Sequence, residues 1–261
     1  MSVVLRYLKA LKDNRSLIWE LAAADLKNRY RNSVLGFIWS VLEPLLLLVV
    51  LDLVFSSLLA PNVPNFAVYL LLGLIVWDFI TKSTTIAITS ISSKTSLLSN
   101  VYFQRAIPAL SATITGFMMF TLEFVIFSFI MVGSGVLPTL TILLFPYLLF
   151  LAFVIVLGLS LPLSVINVLY KDIQFIWRVL LTAGFFIHPI VYTIDLLPED
   201  FREKVMFLPT VRLLNMMHGT VIFGKIPSLS DVVYVTVFAF VILGIGYAIY
   251  RLFERRVAEE I

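Results

Sequence analysis

The sequence SISSKTSLLSNVYFQRAIP, residues 90–108, is a polar interruption between two long apolar runs. Sixty-one per cent of the 261 residues are hydrophobic and only 13% are charged. Soluble domains are about half apolar and about one quarter charged, so a soluble chain could not bury this much apolar surface. The composition therefore predicts an all-α integral membrane protein with a single transmembrane domain over residues 1–261.

On either side of the interruption, six stretches are long and apolar enough to cross a membrane, which takes about 20 residues. They cover about residues 34–60, 66–88, 106–132, 140–169, 173–194 and 232–252. Residues 205–223 are also apolar, but Pro209, Arg212 and His218 are costly in lipid. We expect this segment to form one or two short helices that enter the outer leaflet while shielded by protein.

Lysines and arginines indicate the orientation, because they are enriched on the cytoplasmic side of membrane proteins. With the N-terminus inside, fifteen of the 19 basic residues lie on the inner side. Both termini and residues 90–108 are therefore expected in the cytoplasm.

The N-terminal residues 3–30 carry leucines at helical spacing with lysines and arginines between them. This pattern predicts an amphipathic helix on the membrane surface, within an interface segment that covers residues 1–33. The expected interface residues are Trp19, Lys27, Arg29 and Arg31. A soluble surface helix is the alternative interpretation.

Residues 90–108 mix polar side chains with five large apolar ones, which loose loops seldom expose. They predict a short surface helix that another protein grips, with Leu98 and Tyr102 as the apolar anchor and Arg105 as a polar contact. An ordinary solvated loop is the alternative.

The sequence holds no pattern typical of an enzyme. Residues 219–225 match most of the phosphate-loop pattern GxxxxGK, but Ile226 follows where Ser or Thr is required and no strand precedes them. We interpret the match as chance and expect no nucleotide site in this chain. The absence of cysteine and the presence of two histidines argue against a metal site. No catalytic residue and no nucleic acid partner are predicted.

Several acids lie inside the predicted spans. Asp78 precedes Lys82 by four residues, the order that favours a helical ion pair. Three acids have no such local partner: Glu43, Asp52 and Glu123. They could line a water-filled path, form hydrogen bonds between helices or relay protons. Pro44 is expected to kink or break the first span.

Aromatic faces suit sugar rings, and an intramembrane acid is a functional candidate. The candidate residues for a channel or substrate path are Trp39, Glu43, Tyr69, Trp77, Tyr147, Trp177 and Tyr192. For any single aromatic residue, a place in the interfacial belt is the alternative.

Residues 25–44, DLKNRYRNSVLGFIWSVLEP, resemble the N-terminal segment of the ABC-2 type permeases that export polysaccharides such as O-antigen, capsule and teichoic acid. NVYFQR at residues 100–105 resembles the family's cytoplasmic segment before the third span. The run from Tyr170 through HPIVY at 188–192 to Leu197-Pro-Glu resembles its fifth span and outer loop. Glu43 stands where the family often has Asn.

The resemblance implies a homodimer in the bacterial cytoplasmic (inner) membrane, with a lipid-linked polysaccharide moving through a channel between the two copies. Each copy would bind a separate ATPase subunit, two in all, which would hold the ATP and magnesium. The segment between spans two and three would be the coupling helix in contact with that subunit, through Lys94, Leu97, Leu98, Asn100, Val101, Tyr102, Phe103 and Arg105. Short helices after span five would gate the outer exit, with Pro198, Pro209, Arg212 and His218.

Three other functions remain open from the sequence. An exporter of drugs or small lipids would share the same plan. A proton-coupled carrier would use Glu43, Asp52 and Glu123 and would need no ATPase. A membrane scaffold would transport nothing.

Overall fold

The computed structural model describes residues 13–59, 63–94 and 106–260, and all regular structure in these ranges is helical. The α-helices are α1 Arg15–Arg29, α2 Trp39–Leu59, α3 Phe66–Ser90, α4 Ile107–Gly133, α5 Phe145–Leu169, α6 Ile173–Ile187, α7 Glu199–Met206, α8 Pro209–Val221 and α9 Leu229–Glu260. Short 3-10 helices cover Gly36–Ile38, Ser92–Lys94, Leu140–Leu144 and Ile194–Leu196. The prediction of an all-helical fold is confirmed for these residues.

Five helical stretches in the described ranges are long and apolar enough to cross a membrane. They are Gly36–Ser56, Phe66–Ser90, Ile107–Gly133, Leu140–Leu169 and Leu229–Glu254. These bounds lie within a few residues of five of the six predicted spans, and α2 continues through Pro44 without breaking.

The predicted span at 173–194 is shorter in the structure, because α6 has 15 residues and a length of about 22 Å. The helix ends where Pro189 forces the preceding His188 into an extended conformation, with ψ at 142°. The chain nevertheless follows α3 for most of its length. Trp177 donates a hydrogen bond to Thr84 of α3. Tyr69, which precedes Thr84 by fifteen residues in α3, donates a hydrogen bond to the carbonyl of Pro189.

The helix α3 forms the centre of the fold. In its most apolar 18-residue stretch, 72% of the residues are buried, against 11% for α2 and 17% for α9. Phenylalanine rings fill the contact between α3, α4 and α5: Phe79 lies 5.8 Å from Phe120, and Phe124 stacks on Phe145 at 4.6 Å. The wide apolar surfaces of α2 and α9 therefore remain for lipid or another chain to cover.

The helices α5 and α9 run parallel and touch through their backbones. A Cβ atom added at Gly246 would overlap the carbonyl group of Gly158, and one added at Gly158 would lie 2.8 Å from the amide nitrogen of Leu243. Only glycine permits this approach, which is a common way to join helices in membranes.

Both described ends of the chain lie at the same end of the bundle, which we call the terminal end. Ile91, Ala109 and Tyr250 share one buried cluster there, and Asp25 of α1 forms an ion pair with Lys94, with 2.5 Å between carboxylate and ammonium. The opposite end, which we call the far end, contains the start of α3 and residues 188–228.

Candidate functional site

An open groove with a volume of about 600 Å³ lies between α2, α3 and α6. One side consists of apolar groups of α2, including Pro44, Leu47 and Leu51. The other sides carry polar groups from α3 and α6. Of the groups predicted to line a path, Glu43, Trp77 and Trp177 all reach this groove.

Two polar stripes face each other across the groove. The stripe on α3 consists of Asp78, Thr81, Thr85 and Thr89. The stripe on α6 consists of Gln174, Arg178 and Thr182. Each series repeats every three or four residues, so its side chains lie along one face of a helix. Hydroxyl, amide, carboxylate and guanidinium groups thus line a lengthwise path inside a largely apolar bundle.

The two indoles hold α6 at a fixed distance from α3. Trp177 donates its Nε1–H to the hydroxyl of Thr84 at 2.9 Å. The ring of Trp77 lies 4.6 Å from that of His188 and packs against Gly184, where a Cβ would lie only 2.6 Å from the indole. Both indoles therefore combine a structural contact with an edge that faces the groove.

A cluster of four charged groups lies beside the groove, which we call the Lys82 cluster. The buried ammonium of Lys82 lies 2.8 Å from Asp78, 2.9 Å from Glu123 and 3.4 Å from Glu43. The predicted pair of Asp78 and Lys82 is present, but Lys82 also contacts two acids for which the sequence indicated no local partner. A single cation therefore joins carboxylates from α2, α3 and α4.

The members of this cluster differ in their access to solvent. The side chain of Glu123 is 1% exposed, that of Asp78 25% and that of Glu43 62%. The second carboxylate oxygen of Glu123 is buried and has no hydrogen-bond partner among the described residues. Glu123 therefore depends on Lys82 alone, whereas Asp78 and Glu43 also face the groove. Asp52, the remaining predicted acid, has no ion pair in the described parts of the chain.

Tyr69 and Tyr192 meet at the far end rather than in the groove. The Tyr69 hydroxyl donates to the carbonyls of Pro189 at 2.9 Å and Tyr192 at 3.0 Å. The buried ring of His218 stacks on Tyr69 at 3.8 Å and hydrogen-bonds to its carbonyl at 3.0 Å. Burial lowers the pKa of His218 to about 4, so this ring is neutral at pH 7.

The other two path candidates lie elsewhere. Trp39 shares a second opening, of about 680 Å³, with Glu43 and Arg29 at the terminal end of α2. Tyr147 is exposed and shares a hydrogen bond of 2.7 Å with Thr236 of α9. Three of the seven candidates therefore line the groove, and the other four lie outside it.

The predicted interface helix is represented by α1, which the structure describes from Arg15 to Arg29. Ile18 and Ala22 are buried, and the carbonyl of Ala22 accepts a hydrogen bond from Thr115 of α4. The predicted interface residues Trp19, Lys27, Arg29 and Arg31 are exposed. They are free to face a membrane surface, and this role stays a prediction.

Most of the predicted coupling helix lies outside the described residues. Those positions are Leu97, Leu98, Asn100, Val101, Tyr102, Phe103 and Arg105. Lys94 is described, and its ion pair with Asp25 ties the start of this segment to α1. The contact with an ATPase subunit stays a prediction.

The four predicted gate residues take different places in residues 188–228. Pro198 precedes α7, and Pro209 begins α8. Arg212 forms an ion pair with Asp231 at 2.8 Å and lies over the ring of Tyr234 at 4.4 Å. His218 contacts Tyr69, as described above. These contacts attach α8 to both α3 and α9, and a gating role stays a prediction.

The stretch that resembles a phosphate loop has a different structure. Residues 219–221 form the last turn of α8, and the amide of Lys225 donates to the carbonyl of Gly219 at 2.8 Å. Gly224 takes a positive φ of 62° to complete the turn. The stretch is thus a helix end and its cap.

The sequence interpretation missed the two polar stripes and the link between Lys82 and Glu123. The stripes had a signal, because threonines recur at residues 81, 85 and 89, and polar residues recur at 174, 178 and 182. Such four-residue spacing in an apolar span marks a polar face. The contact between Lys82 and Glu123 had no signal in the sequence, because these residues are 41 positions apart.

Known proteins match this chain across α2, α3 and α6, the helices that form the groove. A family model described as "ABC-2 type transporter" matches residues 16–222. The chain is 28% identical to the "O-antigen export system permease protein RfbA" of Myxococcus xanthus, over 99% of this chain and 100% of that protein. It is 26% identical to the protein of the same name from Klebsiella pneumoniae, over 90% and 91% of the two chains. The "Polysialic acid transport protein KpsM" of Escherichia coli is 22% identical over 87% and 89%.

Proposed function

Because the chain belongs to the ABC-2 type transporter family, we propose that it is the permease of a polysaccharide exporter such as an O-antigen transporter. Its relatives named for O-antigen export and polysialic acid transport support this substrate class. The chain moves a lipid-linked polysaccharide across the bacterial cytoplasmic membrane. It is a transport subunit, and ATP is hydrolysed on a partner chain.

The observation that carries this proposal is the groove with its two polar stripes. Hydroxyl and amide groups on α3 and α6 exchange hydrogen bonds with sugar hydroxyls, while Trp77 and Trp177 present apolar edges. The apolar wall formed by α2 suits the lipid carrier. A groove of this kind fits a glycan better than it fits a small apolar drug, because the drug would leave Thr85 and Gln174, which make no side-chain hydrogen bond to a described residue, without partners.

We place two copies of the chain around the translocation path. The groove is open on one side, and α6 exposes large apolar residues beside it, including Val179 and Leu180 at 68% and 53% exposure. A second copy against α2 and α6 covers this surface and closes two grooves into one channel. Six crossings per copy, with the stretch from α6 to Tyr192 as the fifth, keep both termini in the cytoplasm.

Energy enters at the terminal end in this proposal. A nucleotide-binding subunit grips residues 95–105, with one subunit on each permease copy. Binding of ATP shifts the permease only to the extent that the closed subunits favour one conformation over the other. The ion pair between Lys94 and Asp25 supports a firm connection from this segment to α1.

The proton-coupled alternative relies on Glu43, Asp52 and Glu123 acting together. Glu43 and Glu123 instead meet at Lys82, and Asp52 stands nine residues from Glu43, about 13 Å along α2. This arrangement favours a structural role for the acids.

Deletion and complementation test the function directly. Cells without this chain are expected to lose their surface polysaccharide and to accumulate the lipid-linked polymer at the inner face of the membrane. A plasmid copy restores export. If the surface polysaccharide is unchanged and resistance to a drug is lost instead, the proposed substrate class is wrong.

The energy source requires a second experiment, with inverted vesicles that contain the chain and its ATPase. Polymer uptake is expected to need ATP and to persist when a protonophore removes the proton gradient. The variants Leu98→Ala and Tyr102→Ala are expected to release the ATPase subunit during purification, whereas Trp19→Ala retains it. Uptake driven by a proton gradient without the ATPase would overturn the ATP-driven mechanism.

The dimer can be tested with single cysteines, because the natural sequence contains none. Val179→Cys on α6 and Val50→Cys on α2 are expected to form disulfide-linked dimers in membranes. Phe240→Cys on α9 is the control, because its exposure of 52% is close to the 56% of Val50. Cross-links that form only at the control position would refute the proposed arrangement.

A further inference from the structure

A further cavity, separate from the groove and from the opening beside Trp39, lies at the far end of the bundle. It lies between the start of α3, residues 193–196, α8 and residues 223–231, and its volume is about 680 Å³. Small-molecule sites in proteins occupy roughly 300–1,000 Å³. We call it the far-end pocket.

The floor of this pocket is held firmly in place. Tyr69 lines it, and the hydrogen bonds of its hydroxyl to residues 189 and 192 leave that side chain little freedom. His218 stacks on the same ring at 3.8 Å, and Gly219, the next residue in the chain, also lines the pocket. The pocket is therefore already formed without a ligand, which lowers the entropy cost of binding.

The walls offer hydrogen-bonding groups whose capacity is not used. The half-buried amide of Asn215 makes no side-chain hydrogen bond to any described residue. The ammonium of Lys225 has no ion pair in the described ranges and lies 5.8 Å from the ring centre of Phe223. That ring is 36% exposed. An amide, an ammonium and an aromatic ring therefore border one cavity, where a ligand could contact all three.

The charges of the pocket narrow the class of ligand. Asp195 and Asp231 line it together with Lys225, but Asp195 forms an ion pair with Arg202 at 3.3 Å, so the pocket has no strong net charge that would select a highly charged ligand. Asp231 is already engaged by Arg212 at 2.8 Å and by the hydroxyl of Ser228 at 2.6 Å. No group of three or more potential metal ligands occurs among the described residues. A neutral ligand rich in hydroxyl groups satisfies these conditions, because it donates to carboxylates and accepts from the amide and ammonium.

We propose that the far-end pocket binds sugar residues of the polymer as it leaves the far end of the bundle, with Asn215 and Lys225 as hydrogen-bonding groups and Phe223 as the apolar platform. This inference rests on the proposed function, since it assumes that the chain exports a glycan. Binding here retains the emerging polymer and opposes its return.

Photo-cross-linking in cells that make their own polysaccharide tests the pocket. The change Phe223→p-benzoylphenylalanine keeps an aromatic ring at the platform and adds a photoreactive group. Irradiation is expected to join the chain to the polysaccharide, and a glycan stain detects the conjugate on a gel. The matched control is Leu140→p-benzoylphenylalanine, which is 88% exposed at the same end but outside the pocket.

A second change in the same chain measures the polar contacts. Asn215→Leu is expected to lower the cross-linking yield about three- to tenfold, the effect of one lost hydrogen bond. Lys225→Met should do the same, and it stays informative if the Asn215 variant folds poorly, because residue 225 is exposed. Both variants are compared with the parent chain at equal membrane levels.

The outcomes separate the pocket from the proposed function. If deletion of the chain abolishes surface polysaccharide but position 223 gives no conjugate, or no more than position 140, the pocket proposal is overturned. Yields unchanged by both substitutions overturn it as well. If deletion leaves the surface polysaccharide intact, the proposed function fails, and the pocket proposal fails with it.

Discussion

Replacing Lys82 with methionine removes the only cation of the Lys82 cluster while keeping a side chain of similar length. The carboxylate of Glu123, 1% exposed, then loses the partner that lay 2.9 Å away. Breaking a buried ion pair by deleting one member costs about 3–5 kcal/mol, because an uncompensated charge remains. The contact with Glu43 adds little to this figure, since that side chain is 62% exposed and screened.

We expect Lys82→Met to lower the free energy of unfolding by about 3 kcal/mol or more. At roughly 2–4 °C per kcal/mol for a chain of this size, the midpoint of thermal unfolding falls by roughly 6–12 °C. Intrinsic fluorescence of the chain purified in a mild detergent measures this change.

A double variant separates the loss of the pair from the loss of lysine itself. Lys82→Met combined with Glu123→Met removes both buried charges, and such replacements are often close to neutral. We expect it to recover at least half of the lost stability. Asp52→Asn, an acid without an ion pair in the described residues, should shift the midpoint by less than about 2 °C. A single variant as stable as the parent, or a double variant no better than the single, would refute this reasoning.

Three further predictions concern contacts between helices. Gly246→Leu should lower the unfolding midpoint by at least about 5 °C, because the new side chain overlaps the α5 backbone. The control Gly244→Leu should leave the midpoint nearly unchanged, because a Cβ there meets nothing within 4 Å. Equal effects of the two changes would contradict the contact between α5 and α9. Tyr69→Phe removes the single hydroxyl proton that the carbonyls of Pro189 and Tyr192 share, and it should cost about 1–3 kcal/mol. The exposed Tyr147→Phe should cost less than about 0.5 kcal/mol, and denaturation in detergent compares the two variants. The pKa of His218 is about 4 in the folded chain and about 6.5 in the unfolded chain, so between these pH values only the unfolded chain binds the proton. The free energy of unfolding should therefore fall as the pH drops from about 6.5 towards 4, by about 3 kcal/mol in total. In the variant His218→Phe this part of the pH dependence should disappear, and an unchanged slope would show that another group is responsible.

Much of the fold followed from the sequence, because crossing a membrane requires a length and a composition that can be counted. Five predicted spans matched the helices within a few residues. The remaining stretch, 173–194, is mostly apolar, and its division comes from local geometry. Pro189 ends the helix at Ile187, and residues 188–192 continue beside α3 as turns. A hydropathy pattern measures polarity and not backbone conformation, so this division was not visible to it.

The site was less accessible from sequence. Trp77 and Trp177 were selected as aromatic residues, and both reach the groove, but Tyr147 was selected for the same reason and lies against α9. Residue type alone does not determine which face of a helix a side chain occupies. Glu123 was recognised as unusual, yet its partner Lys82 comes from another helix and was assigned to Asp78. Pairings between helices depend on packing, which a single sequence does not encode in its local spacing.

The central helix α3 has a mechanical consequence. It has 25 residues and a length of about 37 Å, and it joins the turn that contains Lys94 to Tyr69 at the opposite end. An α-helix resists compression along its axis, so an axial push on one end displaces the other by nearly the same amount. Tyr69 is bonded to Pro189 and stacked on His218, and both would follow that displacement. A pull applied at residues 95–105 would thus reach the far-end pocket through α3 itself, and the helices tied to α3 through Lys82 and Thr84 would have to adjust to its shift.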